Sequence, residues 1–133
     1  MFAQRITIIN IRKPVEKSVN RELQWLATSL GLFNLRDKDR SLFRIFIELL
    51  KSAKANRPLS SDELAYKLHL SRGTVIHHIN KLMESGIAVH YRKSYILRVS
   101  SLKELVDEME KDLVRACESL KGVAEEIDEK IKV

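Results

Sequence analysis

Apolar residues in this chain recur mostly at intervals of three and four. Leu23, Leu26, Ala27 and Leu30 fall on one side of a helix over residues 20–30, with Gly31 as its stop. Leu42, Ile45, Phe46, Leu49 and Ala53 repeat the spacing, so a second helix is expected from a cap at Asp37 or Asp39 to about Ala55, where Arg57-Pro58 ends it. Between them, Leu32-Phe33-Asn34-Leu35 is an apolar connection expected to pack. Residues 4–11 alternate instead and read as a strand, closed off by Pro14, which cannot continue a central ladder.

From Leu59 the pattern becomes more specific. Ser60-Ser61-Asp62-Glu63 has capping-box spacing and opens a short helix that buries Leu64, Ala65 and Leu68 and ends near His69. Ser71 caps the next helix, which runs to about Ser85 before Gly86. Ile87, Val89 and Tyr91, then Tyr95, Leu97 and Val99, alternate as two strands joined by a tight turn around Arg92-Lys93. The order is a helix-turn-helix followed by a hairpin wing. A further capping box, Ser101-Leu102-Lys103-Glu104, opens a helix of about 30 residues. The expected fold is mainly α (α+β). A winged helix-turn-helix at residues 37–99 lies between a strand-and-helix extension at 1–36 and a long coiled-coil-like helix at 100–133.

A helix turns about 100° per residue, so the faces of the second motif helix can be counted. With Val75 at zero, Ile79 lies at about 40° and Leu82 at about −20°, the core side. Gly73, Asn80, His77 and Lys81 gather on the other side, between about 140° and 240°. Every side chain there is small, polar or basic, as entry into a DNA groove requires. Gly73 lets the backbone approach, Ser71 and Thr74 can donate to phosphate, and Arg72 or His77 can reach base edges. Arg92 and Lys93 at the wing tip suit phosphate, with His90 nearby. Ile76 fits either a thymine methyl or packing on the first helix. His78, on the flank of the apolar stripe, reads as a packed helix contact.

Charge sharpens the picture. Residues 1–100 carry 18 Lys/Arg against 8 Asp/Glu, net +10, and residues 101–133 carry 6 against 10, net −4. A basic body with an acidic tail is the layout of a nucleic-acid binder whose tail does something else. With 32% charged and 6% aromatic residues, the composition suits a helical, solvent-rich protein better than a deep enzyme fold. The sequence holds no glycine-rich phosphate loop and no nucleophile elbow. Glu104, Asp107, Glu108, Glu110 and Asp112 cluster, but read as solvated helix surface. Adjacent histidines diverge by a third of a turn, and nothing completes a ligand set, so neither a metal nor a cofactor is expected. The single cysteine, Cys117, excludes a disulfide framework within one chain and reads as inert packing. No apolar run reaches membrane-span length and no signal-peptide layout is visible, so a cytoplasmic protein with no membrane partner is expected.

In the last helix Leu102, Met109, Ala116 and Val123 alternate with Val106, Leu113, Leu120 and Ile127 at heptad spacing. So narrow a stripe on so long a helix predicts self-association through a coiled coil or small bundle, with a helix folded back on its own domain as the alternative. Dimerisation would set two recognition helices on a two-fold site. Gly122 and Lys130 interrupt the pattern near the end.

The run Leu70-Ser71-Arg72-Gly73-Thr74-Val75-Ile76-His77-His78-Ile79-Asn80-Lys81-Leu82-Met83-Glu84-Ser85-Gly86 resembles the recognition-helix signature of ArsR-like winged-helix regulators. With its flanks the resemblance spans roughly residues 38–99. It implies DNA contact at Ser71, Arg72, Thr74 and His77, with Arg92 and Lys93 in the wing. Metal-sensing members of that family use cysteine, histidine and carboxylate sets that have no counterpart here, so no metal sensing follows. The whole layout resembles archaeal regulators of this type. The reading is a homodimeric, sequence-specific double-stranded-DNA-binding transcriptional regulator, a repressor by resemblance, with no enzymatic activity. The alternative is a winged helix used as a protein-interaction module in a transcription-related assembly. A small-molecule effector, if there is one, would fit between the N-terminal segment and the tail helix.

Overall fold

A computed structural model describes residues 3–33, 37 and 39–131. Five helices and one hairpin follow in order: α1 Val19–Ser29, α2 Ser41–Lys54, α3 Ser61–Leu68, α4 Arg72–Glu84, β1 Ala88–Tyr91, β2 Ser94–Leu97 and α5 Leu102–Lys130. The fold is mainly helical, with a two-stranded antiparallel wing after the helix-turn-helix and a long C-terminal helix.

The helix starts follow from local hydrogen bonding. Ser18, Ser60, Ser71 and Ser101 each cap a helix, their hydroxyls accepting from the backbone N–H three residues on. At Ser60 the box is closed by Glu63, whose carboxylate accepts the Ser60 N–H at 3.2 Å. α2 is capped from further away: the Asp37 carboxylate accepts from Ser41 N–H at 3.0 Å and Leu42 N–H at 2.9 Å, while Arg40 turns through a left-handed φ of 54°. Of the two aspartates expected there, Asp37 does the capping.

One core joins all parts of the chain. Ile45, Phe46 and Leu49 of α2 meet Leu64 of α3, then Val75, Ile79 and Leu82 of α4, Ile87 and Leu97 of the wing, and Leu105 and Met109 of α5. Leu32 is buried, and Phe33 stacks near Phe43 with ring centroids 4.8 Å apart. The rest of that apolar connection, Asn34 and Leu35, lies outside the described residues. Residue Leu59 adds a third rung to the wing: it exchanges backbone hydrogen bonds with Tyr95 at 2.8 and 2.9 Å, so β2 is flanked on both sides.

Two expectations are corrected. The segment over residues 4–11 is not a strand and has no regular secondary structure. Its Arg5 N–H donates to the Glu84 carbonyl at 2.9 Å and its Ile9 N–H to the Ser29 carbonyl at 2.7 Å. Both acceptors are the last residues of helices, whose carbonyls have no partner within the helix. The arm therefore docks on the ends of α4 and α1 rather than on a ladder. The first strand of the wing also faces the other way: Ala88 is buried and pairs with Leu97, while Val89 and Tyr91 are exposed. On β2 the expected side holds, with Leu97 buried and Tyr95 and Val99 packed against the core, where Ile96 joins them. Ile87 is buried but precedes the pleat: its N–H belongs to the end of α4, donating to the Leu82 carbonyl at 2.9 Å.

Candidate nucleic-acid interface

α4 presents two chemically distinct faces. Val75, Ile79 and Leu82 have no exposed surface. Across the helix, Gly73, His77 and Asn80 are exposed and Lys81 partly so, as the counted wheel places them. Thr74 and Ile76, on the flanks, are partly exposed; Arg72 counts to about 60°, beside Ile79, but is exposed at the open start of the helix next to the capping Ser71. Ser71 is held by its capping role, its Oγ accepting from Thr74 N–H at 3.1 Å and its hydroxyl donating to Thr74 Oγ1 at 2.8 Å. A Cβ built on Gly73 would meet nothing within 4 Å, so the fold itself does not require glycine there. What the glycine leaves is a bare stretch of backbone at the start of the helix.

His77 and His78 divide as the flank position predicts. His77 is exposed. His78 is buried, with Nε2 4.0 Å from Asp37 Oδ2 and Nδ1 without a hydrogen-bond partner among the described residues. Burial pushes the His78 imidazole below its ordinary pKa, and the Asp37 charge opposes that shift only in part. Asp37 is in turn held below its ordinary pKa. Its own burial acts in the opposite direction, but the Leu42 and Ser41 N–H groups and the facing imidazole outweigh it. α4 is thus seated against the cap of α2 through a buried imidazole.

At the wing tip, Arg92 and Lys93 are exposed and form the whole two-residue turn between Tyr91 and Ser94. Arg92 adopts a φ of 56°, an arrangement that glycine accepts at no steric cost and arginine does not. Its guanidinium lies over the Tyr91 ring, 5.5 Å from the centroid. His90 stacks on Tyr95 at 4.8 Å and so braces the hairpin. A basic residue with a strained backbone sits where the wing would meet phosphate.

The sequence reading missed a polar cluster beneath the wing. Asp112, only 5% exposed at its side chain, accepts from both terminal nitrogens of Arg98, from Gln4 Nε2 at 2.8 Å and from Arg115. Glu108 adds a contact to Arg98 at 3.4 Å. The bonds from Arg98 outweigh the cost of burial and, with help from Gln4 and Arg115, lower the Asp112 carboxyl to about 2. Asp112 and Glu108 are therefore not plain solvated surface. The cluster ties the N-terminal arm, the base of the wing and α5 together. The signal was present in the spacing: Asp112 lies three and seven residues beyond Met109 and Leu105, on the face that α5 buries. A cleft of about 720 Å³ opens beside it, lined among others by Gln4, Asn80, Met83, Arg98 and Asp112.

The heptad stripe divides along its length. Met109 is buried in the chain's own core, joined by Leu105, and Leu102 packs against that core. Val106, Leu113, Ala116, Leu120, Val123 and Ile127 are exposed, as is Cys117, which the sequence reading expected to pack. From Leu113 to Ile131 no residue of the helix is covered.

Among the described residues no group of three His, Cys, Asp or Glu side chains is placed to hold a metal ion. Nor is any helix long and apolar enough to cross a membrane. In comparisons with known proteins, no curated protein and no solved structure matched. Residues 48–89 match the family model described as "Bacterial regulatory protein, arsR family". The match runs from the second half of α2 through α3 and α4 into β1, stopping short of the wing tip. The chain thus carries a helix-turn-helix segment similar to that of the arsR family, a similarity that supports DNA-binding transcription regulation.

Proposed function

We propose that this protein is a homodimeric, sequence-specific double-stranded-DNA-binding transcriptional repressor of the ArsR-like, archaeal type, acting in the cytoplasm. The helix over residues 71–85 lies in the major groove and the wing over residues 90–94 tracks the backbone. The observation that carries the reading is the division of α4: an apolar face sunk in the core, and an opposite face of Gly73, His77 and Asn80, with Ser71 and Arg72 exposed at its start and Ile76 partly exposed at its edge. A face made to dock protein has a more apolar centre. Arg72 and His77 read base edges, Ser71, Thr74 and Lys81 hold phosphate, and Arg92 and Lys93 add backbone contacts.

Self-association is supported by α5. Leu113, Ala116, Leu120, Val123 and Ile127 keep the 3-4 spacing of a two-stranded coiled coil on the part of α5 that is exposed throughout. A dimer would present two α4 helices to a two-fold site. The cleft between the arm, α4, the wing and α5 is the place for a small-molecule effector. The exposed outer face of the wing, with Tyr91 at 52% and Val89 at 39%, favours the second reading, a contact with another protein.

The test is binding to duplex DNA from upstream of the protein's own gene, followed by fluorescence anisotropy over a salt series. Tight, salt-sensitive binding that is lost in an Arg72→Ala, His77→Ala double variant supports the DNA reading. Equal, weak binding by both proteins contradicts it and favours the protein-interaction module.

A further inference from the structure

Asp62 stands in the first turn of α3, one residue before Glu63. The two carboxylates differ in what they do for the fold. Glu63 closes the capping box with Ser60 and pairs with Arg57 at 3.0 Å. Asp62 neither caps nor covers anything. Its contact among the described residues is with Arg72, the first residue of α4, at 3.6 Å between Oδ1 and Nε. Both side chains are about three-quarters exposed, at 77% and 72%. An acidic group whose role in the fold is confined to its charge in the first turn of α3 thus occupies the edge of the basic, polar face that would meet a polyanion.

We infer that Asp62 is a positioning residue for Arg72, one that restrains sequence-independent attraction to DNA. This rests on the DNA-binding reading given above. In the free protein, and on DNA without the preferred sequence, Asp62 keeps the Arg72 guanidinium against α3 and offsets its charge. Arg72 then does not count among the phosphate contacts. A guanine edge, which offers two acceptors in the plane of the guanidinium, competes successfully for Arg72, because a bidentate base contact is worth more than an exposed ion pair. The pair makes Arg72 selective about what it leaves Asp62 for.

The experiment is a double-mutant cycle on a mixed-sequence duplex, read by anisotropy across a salt series. The proteins are wild type, Asp62→Asn, Arg72→Ala and the double variant. Asp62→Asn is expected to tighten binding to this duplex by about two- to fivefold, the worth of an exposed pair, and to steepen the salt slope by roughly one unit. In the Arg72→Ala background the same substitution should change affinity by less than about 1.5-fold, because the interaction it removes is already gone. Asp62→Glu should retain the wild-type slope, and Asp62→Asn should melt cooperatively with at most the small loss of stability that removing a first-turn charge brings. An equal gain in both backgrounds overturns the inference, since Asp62 would then act on DNA as a bare charge. No gain in either background overturns it as well. A wild-type protein that fails to bind duplex even at low salt removes the underlying DNA reading, and is recognised from that protein alone.

Discussion

Replacing Asp112 by asparagine keeps the shape of the side chain and removes the charge that Arg98, Gln4 and Arg115 converge on. The folded carboxyl titrates at about 2 against an ordinary 3.8, and that difference corresponds to about 2 kcal/mol of stability at neutral pH. Arg98 is one-quarter exposed, so water can partly take over as its partner. The loss should therefore stay below the 3–5 kcal/mol, roughly, that breaking a fully buried pair costs. Because the folded pKa is depressed, the stabilisation is complete above the unfolded value and disappears as pH falls from about 4 towards 2. Urea unfolding of wild type and Asp112→Asn at a series of pH values measures both quantities. The two proteins should differ by about 2 kcal/mol at pH 7, with similar m-values, and converge near pH 2 as the wild-type carboxyl becomes neutral. A difference below about 0.5 kcal/mol at pH 7, or one that does not shrink on acidification, would falsify the assignment of this cluster as the tie between arm, wing and α5.

Gly73→Ala should separate binding from folding: the open space around Gly73 and the helical backbone predict up to about 1 kcal/mol of added stability, while DNA affinity falls because the backbone can no longer approach as closely. Thermal melting and anisotropy on the same samples check both signs. Arg92→Gly should also stabilise, by roughly 0.5–1 kcal/mol from relief of the positive φ, while reducing the salt slope of DNA binding by about one unit. His78 is kept neutral by burial, so the stability it supports is present above its unfolded pKa of 6.5 and declines as pH falls below that value. A His78→Gln variant should lose that decline in denaturation midpoints measured between pH 7 and pH 5. Leu120→Glu should reduce the sedimentation coefficient to that of a monomer without changing the melting of the core, since Leu120 lies on the uncovered part of α5.

The helical core and the face of α4 were legible in the sequence because both depend on local rules. A cap at Ser60 or Ser71 fixes where a helix starts, and 3.6-residue spacing then fixes which side of Val75 and Ile79 is buried. The misreadings have a common origin in long-range contacts. Alternation over residues 4–11 reads as a strand, and does not tell that the segment's partners are the carbonyls ending α4 and α1. The sidedness of the wing turned on one residue: Ile87 belongs to the exit of α4, so the period-two count starts at Ala88 and Val89 faces outward. On α5, heptad spacing assigned Val106 and Met109 alike to a partner helix, whereas the domain's own core takes Met109, with Leu105 and Asp112 beside it, and leaves Val106 exposed. Nothing local to α5 announces that Arg98 and Gln4 wait on the other side.

The central claim is that the exposed face of α4 and the wing tip meet DNA. Backbone amide shifts of the labelled protein, recorded while duplex from upstream of its gene is added, test this residue by residue. Changes should be concentrated at residues 71–77, at Lys81 and at Arg92 and Lys93, with the exposed stretch of α5 unmoved. Changes confined to α5 or to the outer face of the wing around Val89, with α4 silent, would contradict it.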